Sequence, residues 1–391
     1  MVKPEYSIKK KRELERIQLS KTGEMKRNKP MTTHIVLTAN SSNMSELANQ
    51  SVNLIVTSPP YPMIEMWDEL FSEQDPTIAE SLKNGDGRDA FCKMHFLLNN
   101  VWKECDRVLK DNGFICINIG DATRTINGDF QLYSNHSKII ECFLDMGYSV
   151  LPDIHWRKQS NAPNKFMGSG MYPAGAYVTY EHEYILIFRK GGKRVFNGQE
   201  KALRQKSAYF WEERNAWFSD LWEIKGTAQS IISTKVVRDR NASFPLEIPY
   251  RLINMYSVEG DTVLDPFLGL GTTSIACMIS NRNSIGVEIE PEIVSLALSN
   301  MNISIVTANR YIEARIRRHL DFIKALPQEK KLKCYQNRPH GFEVKTRQET
   351  AIEIEQLDSI KKIENGYICN YRKFVPELKA EQMILPITIP G

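Results

Sequence analysis

Four short apolar runs constrain this chain more than any other feature. They are Ser51 to Val56 (SVNLIV), Gly113 to Ile119 (GFICINI), Thr262 to Leu264 (TVL) and Ser284 to Val287 (SIGV). Each is bounded by turn-forming or charged residues and reads as a strand. GFICINI is apolar at almost every position, as a parallel strand must be when helices cover both its faces. Between the runs lie stretches with apolar residues at helical spacing, Phe91 to Leu109 and Ser137 to Met146 among them. Phe244 to Tyr256 reads as a helix after its prolines, and Pro291 falls in the first turn of another. Strand and helix alternate through most of the body. The expected fold is α/β, with a doubly wound, mainly parallel sheet. Ligands of such sheets bind beyond the C-terminal ends of the strands, so the residues that follow each run matter most.

The other segments are less regular. HIVLTAN, from about residue 34, reads as a further strand, and Ser41 or Ser42 as the N-cap of a short helix. Residues 62–90 are polar and irregular around the turn Asn84-Gly85-Asp86-Gly87. YSVLPDIHWRK (148–158) and VTYEHEYILIFRK (178–190) are strand-like. Between them, residues 159–176 are rich in Gly, Pro, Ser and Asn, and loops of that length tend to be functional or mobile. Residues 193–240 are mixed, aromatic and basic. Beyond 310 the chain reads as a charged helical tail with a less regular end.

The net charge of +4 over 391 residues conceals a pattern. Residues 1–30 carry ten Lys and Arg against four Glu, and residues 310–347 carry eleven against four acidic residues, which leaves about −9 for the remainder. Two basic regions around a less basic body suit a polyanion such as DNA; two solvated charged helices would look the same. No apolar stretch approaches the roughly 18 residues of a membrane helix. The charged N-terminus lacks the apolar centre of a signal peptide, and an intracellular, cytoplasmic protein with no membrane partner is expected. The seven cysteines form no C-x-x-C pair and no zinc spacing, so they read as small hydrophobes in a reducing compartment, with no metal assigned.

Two stations carry chemistry. The first, Asp265-Pro266-Phe267-Leu268-Gly269-Leu270-Gly271-Thr272-Thr273, follows a strand and opens a helix. Its glycines permit a tight turn and a close approach of backbone to a ligand. A Thr stands where a dinucleotide fingerprint has its third Gly, and a P-loop's Gly-Lys-Ser/Thr is missing. Glu288, 17 residues past Gly271, ends the next strand. There it can accept hydrogen bonds from ribose hydroxyls. Together they point to a nucleoside-containing cofactor without a pyrophosphate.

The second station is Thr57-Ser58-Pro59-Pro60-Tyr61, at the end of the SVNLIV strand. The prolines fix their own φ and restrict the residue before them. Carbonyls there are held in set directions, beside a hydroxyl that accepts or donates and an aromatic face. Such a tip suits an exocyclic amine, whose two N–H groups need two fixed acceptors.

With both stations in one chain, the sequence resembles the amino-methyltransferases of DNA. Their catalytic motif is Asp, Asn or Ser followed by Pro-Pro and an aromatic residue, and their cofactor motif is a Phe-x-Gly-x-Gly turn after a strand. The Ser form resembles the cytosine-N4 branch; Asp-Pro-Pro-Tyr is more usual for adenine-N6. Here the catalytic motif precedes the cofactor motif by about 200 residues, which resembles the circularly permuted β class. The resemblance spans roughly residues 34–305. It implies S-adenosylmethionine as cofactor, with Phe244 and Pro245 near its methionine part. Asp265, Pro266, Phe267, Gly269, Gly271 and Thr272 would wrap it, and Glu288 would hold the ribose. The family often has Gly-Asp where this chain has Ala39-Asn40; the Asn40 side-chain oxygen can still accept from an adenine amine. GFICINIGD resembles the strand beside the target pocket, ending at Asp121. Trp156 and Lys158 match a Trp-x-Lys of the family.

The resemblance also implies an organisation and a reaction. Residues 1–30 would be a basic arm and 31–305 the catalytic domain, with 191–240 a candidate target-recognition insertion. Residues 306–391 would be a basic extension contacting DNA. Ser58, Pro59, Pro60 and Tyr61 form the expected catalytic set: the Ser58 hydroxyl and a proline carbonyl accept the two N4 hydrogens of a cytosine flipped out of double-stranded DNA, and Tyr61 stacks on it. No cysteine nucleophile is required, unlike methylation at carbon 5. Such site-specific methylation protects host DNA from a cognate restriction endonuclease, a functional partner with no stable contact expected. Two other readings are an adenine-N6 DNA methyltransferase and a non-catalytic, nucleotide-responsive DNA-binding protein. Arg315, Arg317 and Arg318 are candidate phosphate contacts or a solvated helix face. His182 reads as a strand histidine, Met63, Met66 and Trp67 as pocket or core, and Trp211, Trp217 and Trp222 as core.

Overall fold

A computed structural model describes residues 31–158, 167–225 and 244–375. The expected basic arm (1–30), residues 159–166 of the long loop, residues 226–240 of the candidate insertion and the chain after 375 lie outside the described residues.

Ten strands form one sheet. They are β1 (Met31–Thr38), β2 (Val52–Thr57), β3 (Leu109–Ile119), β4 (Ser149–Arg157), β5 (His182–Arg189), β6 (Leu221–Trp222), β7 (Thr262–Asp265), β8 (Asn283–Glu288), β9 (Glu355–Ile363) and β10 (Gly366–Lys373). Across the sheet the order is β6-β4-β5-β3-β2-β7-β8-β1-β10-β9. The five central strands, β3 to β1, are parallel. β5 runs antiparallel to β3 and β4, and β10 antiparallel to β1 and β9. The doubly wound, mainly parallel sheet is present, with mixed edges.

Six helices matter for the site: α1 (Gly87–Val108), α2 (Asn135–Asp145), α3 (Glu247–Tyr256), α4 (Thr272–Ile279), α5 (Pro291–Met301) and α6 (Ile305–Ala325). Adjacent residues of β2 serve different cores. Leu54 and Val56 pack with Val263 and Ile187 under α3, α4 and α6, whereas Ile55 packs with Ile115, Ile117 and Leu264 under α1 and α2. Burial on both faces is why these runs show no polar alternation. Truncating a side chain such as Leu54 to alanine here costs about 2–5 kcal/mol.

Three segments differ from expectation. Residues 41–50 form turns instead of a capped helix, because α1 claims their backbone. Arg107 donates to the carbonyls of Met44 and Leu47 at 2.8 Å each, and Met44 N–H donates to Glu104 Oε2 at 2.7 Å. Residues 62–90 contain two short helices, Asp68–Gln74 and Thr77–Lys83. Residues 355–373, expected to be irregular, form the hairpin β9–β10, and β10 covers the outer edge of β1. Gly366 is required there, since a Cβ would lie 1.8 Å from the His34 carbonyl oxygen.

Helix α6 corrects another expectation. Arg315 faces inward among Ile312, Ile316 and His319 and is buried. Its Nε and Nη2 donate to the two carboxylate oxygens of Glu213 at 2.6 and 2.8 Å. It is therefore no phosphate contact; Arg317 and Arg318 remain exposed. Trp217 and Trp222 are core as expected, but Trp211 is 41% exposed. Cys105, Cys116, Cys277 and Cys369 are buried free thiols. Among the described residues no helix is long and apolar enough to cross a membrane.

The buried pair yields a stability prediction. Glu213→Ala strands the Arg315 charge and lowers the unfolding free energy by about 3–5 kcal/mol. Arg317→Ala on the exposed face changes it by no more than about 0.5 kcal/mol. Equilibrium unfolding in urea measures both.

Candidate active site

Strands β2 and β7 are neighbours at the centre of the sheet, and their C-terminal ends carry the two stations. The chain leaves β2 toward α1 on one face and leaves β7 into α4 on the other, which makes this a topological switch point. Thr57 Oγ1 donates to Asp265 Oδ1 at 2.6 Å and joins the stations across 208 residues of chain. Phe267 N–H donates to the same oxygen at 3.1 Å. Asp265 is 3% exposed, and burial pushes its carboxyl up to about 6.

Beyond the junction opens a cleft of about 1190 Å³, mouth included. Of the residues expected from the sequence, Ser58, Pro59, Pro60, Asn40, Phe244, Asp265, Pro266, Phe267, Gly269, Thr272 and Glu288 line it. Three expected residues do not line it: Tyr61, Pro245 and Gly271. Gly271 instead shapes the turn. It takes φ +84°, Gly269 takes φ +52°, and both lie in the left-handed region that favours glycine. Gly271 then caps α4.

Glu288, at the end of β8, is held by three backbone amides. Its Oε2 accepts from Gly269 N–H at 3.0 Å, and its Oε1 from Ile289 and Glu290 N–H at 2.9 and 3.2 Å. A carboxylate has about four acceptor positions, so about one remains for a ligand. Burial raises its pKa despite these donors. Asn40 is similarly engaged: its Oδ1 accepts from Ser42 N–H at 2.9 Å, and its Nδ2 donates to Gln74 at 3.4 Å.

The Ser58-Pro59-Pro60 tip is braced from behind. Met63 takes φ +68°, a strained value for a residue with a side chain, and is 1% exposed. Buried Asn135 donates to the carbonyls of Pro62 and Gly120 at 3.1 and 2.9 Å and accepts from His95 Nε2 at 2.9 Å. Burial lowers His95 to about 4 and keeps it neutral. Tyr61 is 8% exposed, so its ring is not the open platform expected from the sequence. Its hydroxyl lies 3.1 Å from Ser58 Oγ and 2.9 Å from Glu183 Oε2, and accepts from Asn118 Nδ2 at 2.8 Å. Lys158 pairs with the other Glu183 oxygen and lies over the Trp156 ring at 4.6 Å. Asp121 accepts from the backbone N–H and ring of His136. His182 stacks on His155 at the start of β5.

Trp67, read as pocket or core, lines the cleft; sequence reasoning missed Glu183, Asn118 and the rest of the Trp67 wall, which Leu70, Phe71 and Gln74 complete. The wall had a signal: these four fall at i, i+3, i+4 and i+7, a helical stripe. Glu183 had none, since a lone acidic residue in a strand looks solvated.

The chain is similar to known proteins. The sequence profile of the N6/N4 DNA methylase family matches residues 52–299, more than half of the chain. The chain belongs to this DNA methylase family. The methylase is 52% identical to the Type II methyltransferase M.MthZI of Methanothermobacter thermautotrophicus over 86% of this chain and 94% of that protein. It is also 52% identical to the Type II methyltransferase M.MjaI of Methanocaldococcus jannaschii over 66% of this chain and 88% of the relative. A putative DNA modification methylase of Thermus thermophilus, TTHA0409, solved with S-adenosyl-L-methionine, matches at a TM-score of 0.52 and 29% identity, covering 68% of this chain and 94% of that one.

The methylase acts on DNA, and its methyl donor is S-adenosylmethionine. The cleft fits that cofactor. Asp265, Glu288 and Glu290 line it, while among the described residues no Lys or Arg does. A pyrophosphate would lack a cationic partner there, whereas a cationic sulfonium suits three carboxylates.

Asp265 generates a pH prediction. Its folded-state pKa, about 6, lies above the unfolded value of about 3.9. Its contribution to stability is therefore present below about pH 4 and lost as pH rises through about 6. Asp265→Asn keeps an acceptor for Thr57 and Phe267 without the charge. The variant is expected to be more stable than the parent by about 2–3 kcal/mol at pH 8, with the gap closing toward pH 4. Urea unfolding across that range reads the difference.

Proposed function

We propose that this methylase modifies the exocyclic N4 of a cytosine in duplex DNA at a specific site. The observation that carries the reading is the neutral Ser58 hydroxyl in the lining of the cleft, 3.1 Å from the Tyr61 hydroxyl and beside two prolines. The Thr-Ser-Pro-Pro-Tyr form and the order of the two motifs support a cytosine-N4 enzyme of the permuted β class. The proposed role is protection of host DNA, in the cytoplasm, from a cognate restriction endonuclease; the similarity to Type II methyltransferases supports the protective part of that reading.

When bound, S-adenosylmethionine supplies an electrophilic methyl group. The protein's part is to make the amine a nucleophile. A ring amine is planar because its lone pair is delocalised. The Ser58 oxygen and the Pro59 or Pro60 carbonyl accept its two hydrogens and pull the nitrogen toward tetrahedral geometry. Both acceptors are fixed in advance, so positioning and electrostatics carry most of the rate. The target base is flipped out of the stack to reach them, and Tyr61 supports the tip from behind. Asp265, the backbone from Pro266 to Thr272, Phe244, Asn40 and Glu288 hold the cofactor. Residues 191–240, together with exposed basic residues after 310, are the proposed contacts to the target sequence.

Methyl transfer to mixed-sequence duplex DNA, with product nucleosides separated by mass spectrometry, tests the reading. N4-methylcytosine is the expected product; N6-methyladenine would overturn the inference from serine. Ser58→Ala is expected to lower the transfer rate by about 100-fold or more, with cofactor affinity unchanged. Glu288→Ala weakens S-adenosylmethionine binding by about 10- to 100-fold, as loss of a hydrogen bond to a charged group implies. Isothermal calorimetry measures that change.

A further inference from the structure

The polar cluster behind Ser58 has a direction built into it. Tyr61, Asn118 and Glu183 are 8%, 2% and 7% exposed, so water does not set their hydrogen bonds. Their donors can be counted. The Glu183 carboxylate only accepts. Tyr61 has one proton, and it goes to Glu183 Oε2 at 2.9 Å. Asn118 Nδ2 spends its two hydrogens on the Tyr61 oxygen at 2.8 Å and on Glu183 Oε2 at 2.6 Å. Turning that amide over would set its oxygen against a carboxylate, so its orientation is fixed. The contact of 3.1 Å between Ser58 and Tyr61 then has one assignment: Ser58 is the donor. With its only proton pointing back at Tyr61, the Ser58 oxygen keeps its lone pairs for the cleft.

We propose that Glu183, acting through Tyr61, is a positioning residue that holds the Ser58 hydroxyl as a hydrogen-bond acceptor toward the substrate amine. This rests on the reading of Ser58 as the partner of that amine. A serine left to rotate would offer its proton as readily as its lone pairs, and a proton pointed at an N–H repels it. The buried chain from Glu183 gives a neutral residue the fixed polarity that a carboxylate has without help. Lys158, paired with the other Glu183 oxygen, anchors the far end of the chain.

Single-turnover methyl transfer in a double-mutant cycle tests this. Glu183→Gln replaces the acceptor with a group that also donates, so Tyr61 can turn its proton on Ser58. It is expected to lower the rate by about 10- to 100-fold, with cofactor and DNA affinities within about threefold. Tyr61→Phe removes the link and falls by a similar factor. If the two act as one chain, the double variant is no slower than the worse single. Multiplying losses would overturn the proposal, because Glu183 would then act independently of Tyr61. Glu183→Asp, which keeps an acceptor, is expected to recover part of the rate; a loss equal to that of Gln would also count against it. Thermal unfolding of each variant separates folding from rate. Ser58→Ala with full activity would sink the reading of Ser58 itself, while the cycle between Glu183 and Tyr61 remained readable.

Discussion

One buried hydrogen bond, from Thr57 to Asp265, sets the frame for the whole site. It ties the ends of two adjacent parallel strands, one carrying the rigid Ser-Pro-Pro tip and the other the glycine turn. A bond to a carboxyl group is worth about 1.5–3 kcal/mol. Its effect on geometry exceeds that figure. Because the tip and the turn share an anchor, neither can shift without the other, and the distance between what they hold is set by the spacing of neighbouring strands.

Around that anchor the two sides of the cleft have different characters. The turn side presents carboxylates, backbone amides and apolar walls, with Glu288 already oriented by three N–H groups. The tip side presents few groups but fixes each of them. Proline sets the backbone, Asn135 grips the carbonyls of Pro62 and Gly120, and Met63 is held in a strained conformation by its packing. The first side offers room and polar groups for a molecule of some size; the second presents a small set of acceptors that cannot relax. This division fits an enzyme whose chemistry is done by placement more than by acid or base groups.

Much of this was legible in the sequence because the informative signals are local. An apolar run ending at a glycine turn, a Pro-Pro pair after a strand and an acidic residue at the end of the next strand each depend on few neighbours. What escaped depends on distant chain. Residues 41–50 have the composition of a capped helix but lose it to Arg107 and Glu104. Arg315 looked like one of three exposed arginines until α6 turned it toward Glu213. Tyr61 looked like an open aromatic face, yet it is buried against Asn118 and Glu183, which arrive from other strands. The hairpin β9–β10 carries a period-two signal in Tyr367, Cys369 and Tyr371, obscured by the charge around it. A single sequence shows such partners only after the sheet order is known.

The sheet order has a consequence for how the protein is made. β1 is the first described strand to leave the ribosome and among the last to be completed. Its parallel partner β8 lies 250 residues later, at the contact of His34 with Ser284, and its other neighbour β10 lies 339 residues later, at that of Thr32 with Tyr371. At about 5–20 residues per second, translation takes tens of seconds to deliver both. Through that interval an apolar strand has no partner on either edge, the state in which strands pair with the wrong chain. The β9–β10 hairpin thus closes a gap that has stood open for most of synthesis, and the cell's capacity to shield a nascent strand becomes a condition for obtaining active enzyme.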